Sequence, residues 1–407
     1  MKRVVIVGAG LAGLVTSAAL AKAGLSVTCV HFGVGGIPLS PGVVDVYGYA
    51  PEWVAEPLDA VAAAAPGHPY AAIGAASTRR GLELLAELAG PDLLNGRALG
   101  YDGPLHNACL VTAIGAPRPT CLYPPSMAAG VAGGDQMVIV GFKRLKDFYP
   151  ELIAGNCGER AVTVDVVARR GESDTPGMAF ARFFDTEAGR RALVAAVRSA
   201  VDKWETVGLP AVIGLQDVTA WRKVEEALGQ PVCEIPLAPP SVPGWRLQQA
   251  LVRAAQQLGV RFIGGSKVMG VKQSGGRVSG VVVNSAGHNM TVAADAVVLA
   301  TGGFESGGLV MDSRNAVSEP VMGLPLANVP KEPFVADAFA PQPLFLAGVR
   351  VDEAMRPLDL AGNVVCGGLH AVGGLLAGSI RWDELTGEGI AVGSAVAAAD
   401  AIGEELA

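Results

Sequence analysis

The chain has 407 residues; half are hydrophobic, 17% are charged and 54 are glycine, against about 25% charged residues in an average domain. Low charge with a large apolar fraction excludes a disordered chain, and the composition predicts a layered α/β protein with a small-residue core and many tight loops. A net charge of −7 with no block of Lys and Arg excludes nucleic-acid binding through a basic patch and general affinity for anionic membranes.

Lys2 and Arg3 precede an uncharged run from Val4 to Ala21, which hydropathy alone would assign to an export signal or a membrane span. The details favour another reading. Gly8, Gly10 and Gly13 form G-x-G-x-x-G directly after the apolar strand Val4–Val7. A small-residue helix over Leu11–Ala23 follows, closed by Gly24, and then a second strand, Ser26–Val30. In this strand–loop–helix–strand unit Gly8 permits the tight turn and Gly10 lets backbone N–H groups approach a phosphate. Gly13 lets the helix pack on the strand, and Ala9, Leu11 and Ala12 complete the loop at the positive end of the helix. An acidic residue for an adenosine ribose belongs after the second strand. His31 stands there instead, so either imidazole contacts the ribose or the cofactor lacks the adenosine half.

Gly33–Gly42 (GVGGIPLSPG) reads as a loop in which Ser40 and Gly42 either line a flat ring system or belong to an ordinary connection. Between residues 50 and 240 the glycine grammar is absent. Helices are predicted over 60–65, 79–89, 145–148, 186–204 and 219–228, with strands over 137–140 and 211–215. We read 51–239 as an inserted α/β domain for substrate or partner, and 1–50 with 240–407 as one discontinuous domain. Arg182, in FARFFD, is an anion-binding candidate by its planar fork, beside the plainer role of an ion-paired arginine.

The rigid PLAPPSVP stretch at 236–243 is a crossing between domains. A helix over 246–258, a strand over 260–263 and a three-strand β-meander (268–271, 277–283, 288–293) come next. They deliver the chain to a buried strand, 295–300, ending in Thr301, Gly302 and Gly303. Near the C-terminus, a short strand over 363–365 and the strand 369–372 lead to Gly373 and Gly374. Gly387 and Gly389 open a helix over 390–402. Such small-residue ends at the carboxyl edge of a parallel sheet bring backbone close to a ligand. His370 reads as a packed histidine. The six cysteines are scattered, without metal spacing, and read as reduced thiols of a cytosolic protein. No metal site and no catalytic acid or base can be assigned.

Three glycine-rich loops in this order, with a meander before the second, resemble the two-domain flavoproteins of the glutathione-reductase and fumarate-reductase type, with an FAD/NAD(P)-binding Rossmann-like fold. That pattern has an Asp where Gly374 stands. A closer resemblance runs the length of the chain. It is carried by VVIVGAGLAGL (Val4–Leu14), LSPGVVDV (Leu39–Val46), HPY (His68–Tyr70), GFKRLKDF (Gly141–Phe148), ARFFD (Ala181–Asp185) and LAPPSVPGWRLQQAL (Leu237–Leu251). LATGGFESGGLV (Leu299–Val310), EPVMGL (Glu319–Leu324), FAPQP (Phe339–Pro343) and VRVDEAMRP (Val349–Pro357) extend it. These stretches resemble the B subunits of anaerobic glycerol-3-phosphate dehydrogenases.

The resemblance implies a flavin-containing subunit of a three-subunit complex that oxidises sn-glycerol 3-phosphate to dihydroxyacetone phosphate and passes electrons to quinone. The implied partners are a catalytic A subunit with FAD and a C subunit with iron–sulfur clusters. The chain itself would be cytoplasmic and peripheral, held on the inner face of the membrane by its partners. FMN is the cofactor implied for this type of chain, with FAD as the alternative; FMN would tolerate the loss of the two adenine-dinucleotide contacts at His31 and Gly374. Arg246, Arg314 and Arg356, in or beside these stretches, join Arg182 as candidates for binding substrate phosphate or flavin charge. The competing expectations are a structural or assembly subunit with an incomplete pocket, and a freestanding FAD-dependent oxidoreductase.

Overall fold

The computed structural model describes residues 2–94, 105–131 and 136–407. Its main sheet has five parallel strands in the order Leu369–Ala371, Ala296–Leu299, Arg3–Val7, Ser26–Val30, Arg261–Ile263. Numbered along the chain this is 5-4-1-2-3, the doubly wound order whose reversal point lies between the first and fourth strands. Val4 to Val7 and Ala296 to Leu299 are buried throughout, as continuous apolar runs must be when both faces of a parallel sheet are covered. The α/β Rossmann-like class is therefore observed, and the meander is present as Ser266–Ser274, Arg277–Ser285 and His288–Ala293.

The helices Leu11–Lys22, Pro69–Ala89 and Gly387–Leu406 pack against one another and share the core of this sheet. Close approach is possible because small residues face each other. A Cβ on Gly81 would stand 2.5 Å from the carbonyl oxygen of Val392. Leu58, Val61, Tyr70, Leu82, Leu94 and Leu122 join the same core. The expected boundary near residue 51 thus does not coincide with a change of core, which comes after residue 122.

A second core spans Met137 to Val242. It is built on a four-stranded parallel sheet in the order Arg160–Val164, Met137–Phe142, Thr206–Pro210, Val232–Ile235. Three sequence expectations fail here. Leu145–Phe148 is a turn, with Asp147 at φ 65°. The helix expected to Trp204 spans Glu187–Arg198, its start fixed by the Thr186 hydroxyl accepting from the Gly189 N–H at 3.1 Å. The strand expected at 211–215 is a buried loop, and the strand lies five residues earlier. The loop is as apolar as a strand, but two of its five N–H groups go to acids and the other three to the carbonyls of Ile235, Pro210 and Val212. Glu234 accepts from Ile213 at 2.9 Å, and one Asp185 oxygen accepts from Leu215, Gln216 and Asp217 at 2.8 to 3.0 Å. In the first core a fourth expectation fails: 363–365 forms only a bridge, Leu358 to Val364.

The helix Val242–Gln257 joins the two cores. Ser241 caps it by accepting from the Gly244 N–H at 3.1 Å, which starts it a turn before the expected position.

Candidate functional site

Sheet register decides where the loops go. Val7 pairs with Val30 and Leu299, Val30 with Ile263, and Leu299 with Ala371. Five carboxyl ends therefore lie side by side, and residues that follow them ring one cavity of about 820 Å³. This is the crevice that the doubly wound topology leaves open at its reversal point.

Among the residues singled out from sequence, Gly8, Ala9, Gly10, Leu11, Ala12, His31, Ser40, Thr301, Gly302, Gly374 and Gly387 line it. Gly13, Gly42, Gly303, Gly373 and Gly389 do not; they stand behind the wall and let its parts approach. A Cβ on Gly13 would lie 2.0 Å from the Gly8 carbonyl oxygen, one on Gly42 2.6 Å from Pro243, and one on Gly389 2.1 Å from the Tyr70 hydroxyl oxygen. Gly303 abuts Glu305 and Arg381, and the Gly373 N–H donates to Ser394 at 2.9 Å.

The three motif glycines thus divide by physics. Gly8 needs its φ of +115° and has the Ala300 carbonyl 2.3 Å from its missing Cβ; Gly13 is required for helix–strand contact. Gly10 has an ordinary backbone and nothing within 4 Å of its missing Cβ, so its bareness faces open space. The helix it opens has no side-chain cap. Its first N–H groups, left without intrahelical acceptors, meet the cavity at Leu11 and Ala12.

His31 follows the second strand and lies in the cavity wall. Its Nδ1 is 2.8 Å from the Gly33 carbonyl oxygen. A carbonyl only accepts, so Nδ1 carries the proton and Nε2 of the neutral ring is an acceptor. An acceptor is what a ribose hydroxyl meets in the usual acidic residue. The Thr301 hydroxyl oxygen is buried in the wall without a partner, as expected of a group waiting for a polar ligand.

None of the four predicted arginines lines the cavity. Arg246 is 3% exposed and donates to both oxygens of Glu234, at 2.8 and 3.1 Å, and to the carbonyls of Ile213 and Gly214. It ties the joining helix to the second sheet. Arg356 pairs with Asp352 four residues earlier, Arg314 sits on an exposed turn, and Arg182 is exposed on the helix Gly177–Phe184 in the second core. All four stand in or beside family-like stretches, and proximity in sequence to a motif does not carry a side chain to the sheet edge. His370 is fully buried, with Nδ1 2.8 Å from the Ala354 carbonyl, and is a packed histidine.

Three charged groups that carry no motif in the sequence do line the cavity: Lys267, exposed in the first meander strand, and two from the C-terminal region. Arg381 donates to the Gly374 carbonyl and to Glu305 at 3.0 Å. Glu388, in the first turn of the helix Gly387–Leu406, is the other. Behind it, Asp45 is 1% exposed and accepts from Arg118, and its Oδ1 has no partner. The Gly389 N–H donates to the Asp45 carbonyl at 2.9 Å, which holds the two acidic residues together. Burial first, then the Asp45 charge, push the Glu388 carboxyl up to about 7, against the opposing pull of Arg118. The available signal was small: two acidic residues inside apolar, glycine-rich contexts, DV at 45–46 and GEGI at 387–390.

The match to known families settles what this arrangement descends from. Residues 3–390 match the family described as FAD binding domain. The probable anaerobic glycerol-3-phosphate dehydrogenase B subunit of Halobacterium salinarum (strain ATCC 29341 / DSM 671 / R1) is 32% identical, over 99% of this chain and 98% of that one. The corresponding B subunits of Yersinia pseudotuberculosis (30% identical; 99% and 98% covered) and Pectobacterium atrosepticum (32%; 99% and 98%) are similar in the same way. The chain belongs to the B-subunit family of anaerobic glycerol-3-phosphate dehydrogenases, within the FAD binding domain family. The family description names FAD, so the expectation of FMN as the primary cofactor finds no support. Among the described residues no helix is long and apolar enough to cross a membrane, and no cluster of His, Cys, Asp or Glu could hold a metal ion. All six cysteines are free; four are buried, Cys157 is half-buried and Cys109 is exposed.

Proposed function

We propose that this chain is the flavin-carrying B subunit of a glycerol-3-phosphate dehydrogenase, with FAD in the cavity at the sheet edge. The observation that carries the reading is the convergence of five strand ends on one cavity whose uncapped helix N-terminus is left bare by Gly10. The N–H groups of Leu11 and Ala12 would hold phosphate oxygens, helped by the positive end of the helix. His31 Nε2 would accept from an adenosine ribose hydroxyl, which favours FAD over FMN. The Thr301 hydroxyl would gain its missing partner, and Arg381 would place positive charge on the cavity wall.

Bound flavin supplies acceptance of a hydride or of two single electrons. The protein's part is to position it and to set the electrostatics around it. We assign electron delivery from sn-glycerol 3-phosphate, or from a neighbouring flavin subunit, to this site, and onward transfer toward quinone to an iron–sulfur partner. Two flavin- and cluster-bearing partners, a peripheral place on the inner membrane face and cytoplasmic location complete the proposal. Wholly exposed Phe339, with half-exposed Trp382 and Phe334, is apolar surface that partner subunits would cover.

The test is to purify the chain, denature it and chromatograph the released flavin. One FAD per chain is the expected result. A colourless protein that takes up no flavin on incubation would overturn the reading.

A further inference from the structure

Three chain segments meet behind the cavity wall. The segment at 43–46 brings Asp45, the strand Pro117–Thr120 brings Arg118, and the helix Gly387–Leu406 brings Glu388 in its first turn. Backbone bonds lock them together: Val44 donates to Leu122 at 2.8 Å, Cys121 to Val44 at 2.9 Å, and Gly389 to Asp45 at 2.9 Å. The Arg118 guanidinium is therefore engaged by one of the two carboxyl groups. Asp45 takes it by direct hydrogen bonds, and Glu388 has no side-chain ion-pair partner among the described residues while its face lies on the cavity.

Two further cations stand on the same cavity wall, Arg381, engaged with the Gly374 carbonyl and Glu305, and Lys267 from the meander, and neither pairs with Glu388. The remaining ionisable groups around it are phenols, a thiol, an acid and a histidine. Tyr47 and Tyr49 come from the segment of Asp45, Cys121 from the end of the Arg118 strand, and Glu384 from just before the last helix. Tyr70 comes from the helix Pro69–Ala89 and His68 from its cap. Tyr70 donates to the Val46 carbonyl, and His68 Nε2 is 3.3 Å from Glu384. Burial and the neighbouring negative charge hold the Tyr70 phenol well above its ordinary range, so it stays neutral.

We propose that Glu388 is the proton-exchanging group of the cavity, taking up a proton from solvent when negative charge enters and releasing it when that charge leaves. This deepens the flavin reading and rests on it, because the charge that enters is the electron pair carried to the flavin. The step balances simply. An external reductant, dithionite in the test below, is oxidised to sulfite and gives two electrons to the bound flavin, which would itself take one proton from water, so that one net negative charge enters the cavity. An O–H bond forms on the Glu388 carboxylate with a proton drawn from water. Reoxidation reverses both. Burial on the cavity wall and the charge of Asp45, tied to the same turn by the Gly389 N–H, raise the Glu388 carboxyl toward neutrality, and any further negative charge in the same low-dielectric space favours its protonated form.

The experiment uses the full chain with its flavin. Infrared spectra across pH read the protonated carboxyl band, and a pH indicator in weakly buffered solution reads proton uptake on reduction by dithionite. In the wild type the band titrates near neutrality and grows on reduction. Glu388→Gln loses the band and takes up fewer protons per flavin on the alkaline side of neutrality, by up to one. Asp45→Asn, which removes the neighbouring charge, moves the titration to lower pH. Equal proton uptake by wild type and Glu388→Gln at equal flavin content overturns the proposal and leaves the flavin reading standing. Failure of the wild type to bind flavin overturns both. A variant that loses its flavin is replaced by Glu388→Asp, whose band must reappear at a shifted position if the carboxyl is the exchanging group.

Discussion

At the scale of single residues, the structure separates two glycines that the motif treats alike. Gly13→Ala places a methyl group 2.0 Å from the Gly8 carbonyl oxygen, which the fold can absorb only by moving helix against strand. We expect a loss of about 1–3 kcal/mol, read as a lowered midpoint in denaturant. Gly10→Ala meets nothing within 4 Å, so its stability should equal the wild type within about 0.5 kcal/mol, while the methyl stands where a phosphate must come. Flavin affinity should fall by about tenfold or more, which corresponds to about 1.4 kcal/mol.

Glu388 gives a pH prediction at the same scale. Its carboxyl is raised from 4.5 to about 7 in the folded chain, by burial and then by Asp45. Below the lower value both folded and unfolded chains hold the proton. Between the two values the folded chain binds more proton than the unfolded one, so stability falls as pH rises through this window and the loss is complete above it. Glu388→Gln removes the dependence. It should therefore be more stable than the wild type above about pH 7, by on the order of 3 kcal/mol, and nearly equal to it in acid. Thermal melts of both proteins across pH check the sign.

At the scale of elements, the joining helix Val242–Gln257 depends on a buried ion pair. Arg246 is 3% exposed and Glu234 is fully buried. Arg246→Ala leaves Glu234 charged and unpaired, and also strips donors from the carbonyls of Ile213 and Gly214. Removing one partner of such a pair costs about 3–5 kcal/mol, and chemical denaturation should show it. Activity lost by this variant would follow from unfolding, since Arg246 does not line the cavity.

The same region shows what periodicity conveys and where it stops. The first strand, its helix and the meander were legible because each has one strong local signal: a run of valines, a glycine at the required turn, or alternation broken by Gly275-Gly276. The strand near 206–210 was displaced to 211–215 because both stretches are buried and apolar. What distinguishes them is the hydrogen-bond partner, supplied in the loop by Glu234 and Asp185 from distant positions. Arg381 and Glu388 escaped notice for a related reason. They stand on the cavity only because the last strand and helix return to the first, a contact between sequence ends that no window of residues contains.

At the scale of the whole molecule, the glycine surplus has a structural address. Nine glycines line one cavity, and others let elements close on one another, as Gly81 does against Val392. The low charge reflects two parallel sheets, each with its own core. The first core takes in both ends of the chain with residues between Leu58 and Leu94 and with Leu105, Cys121 and Leu122, the second lies within 137–242, and Val43, Leu110, Met127 and Ala211 form a small third cluster. Only the first carries the ring of strand ends. We assign flavin chemistry to that core.

We propose that the bare helix N-terminus at Gly10 holds the phosphates of a flavin. The most direct test is flavin binding by wild type and Gly10→Ala, measured by fluorescence titration on stripped proteins of matched thermal stability. Tight, stoichiometric FAD binding by the wild type is expected, with a loss of about tenfold or more in the folded variant. Equal affinity in the two proteins, or no binding by the wild type, would contradict it.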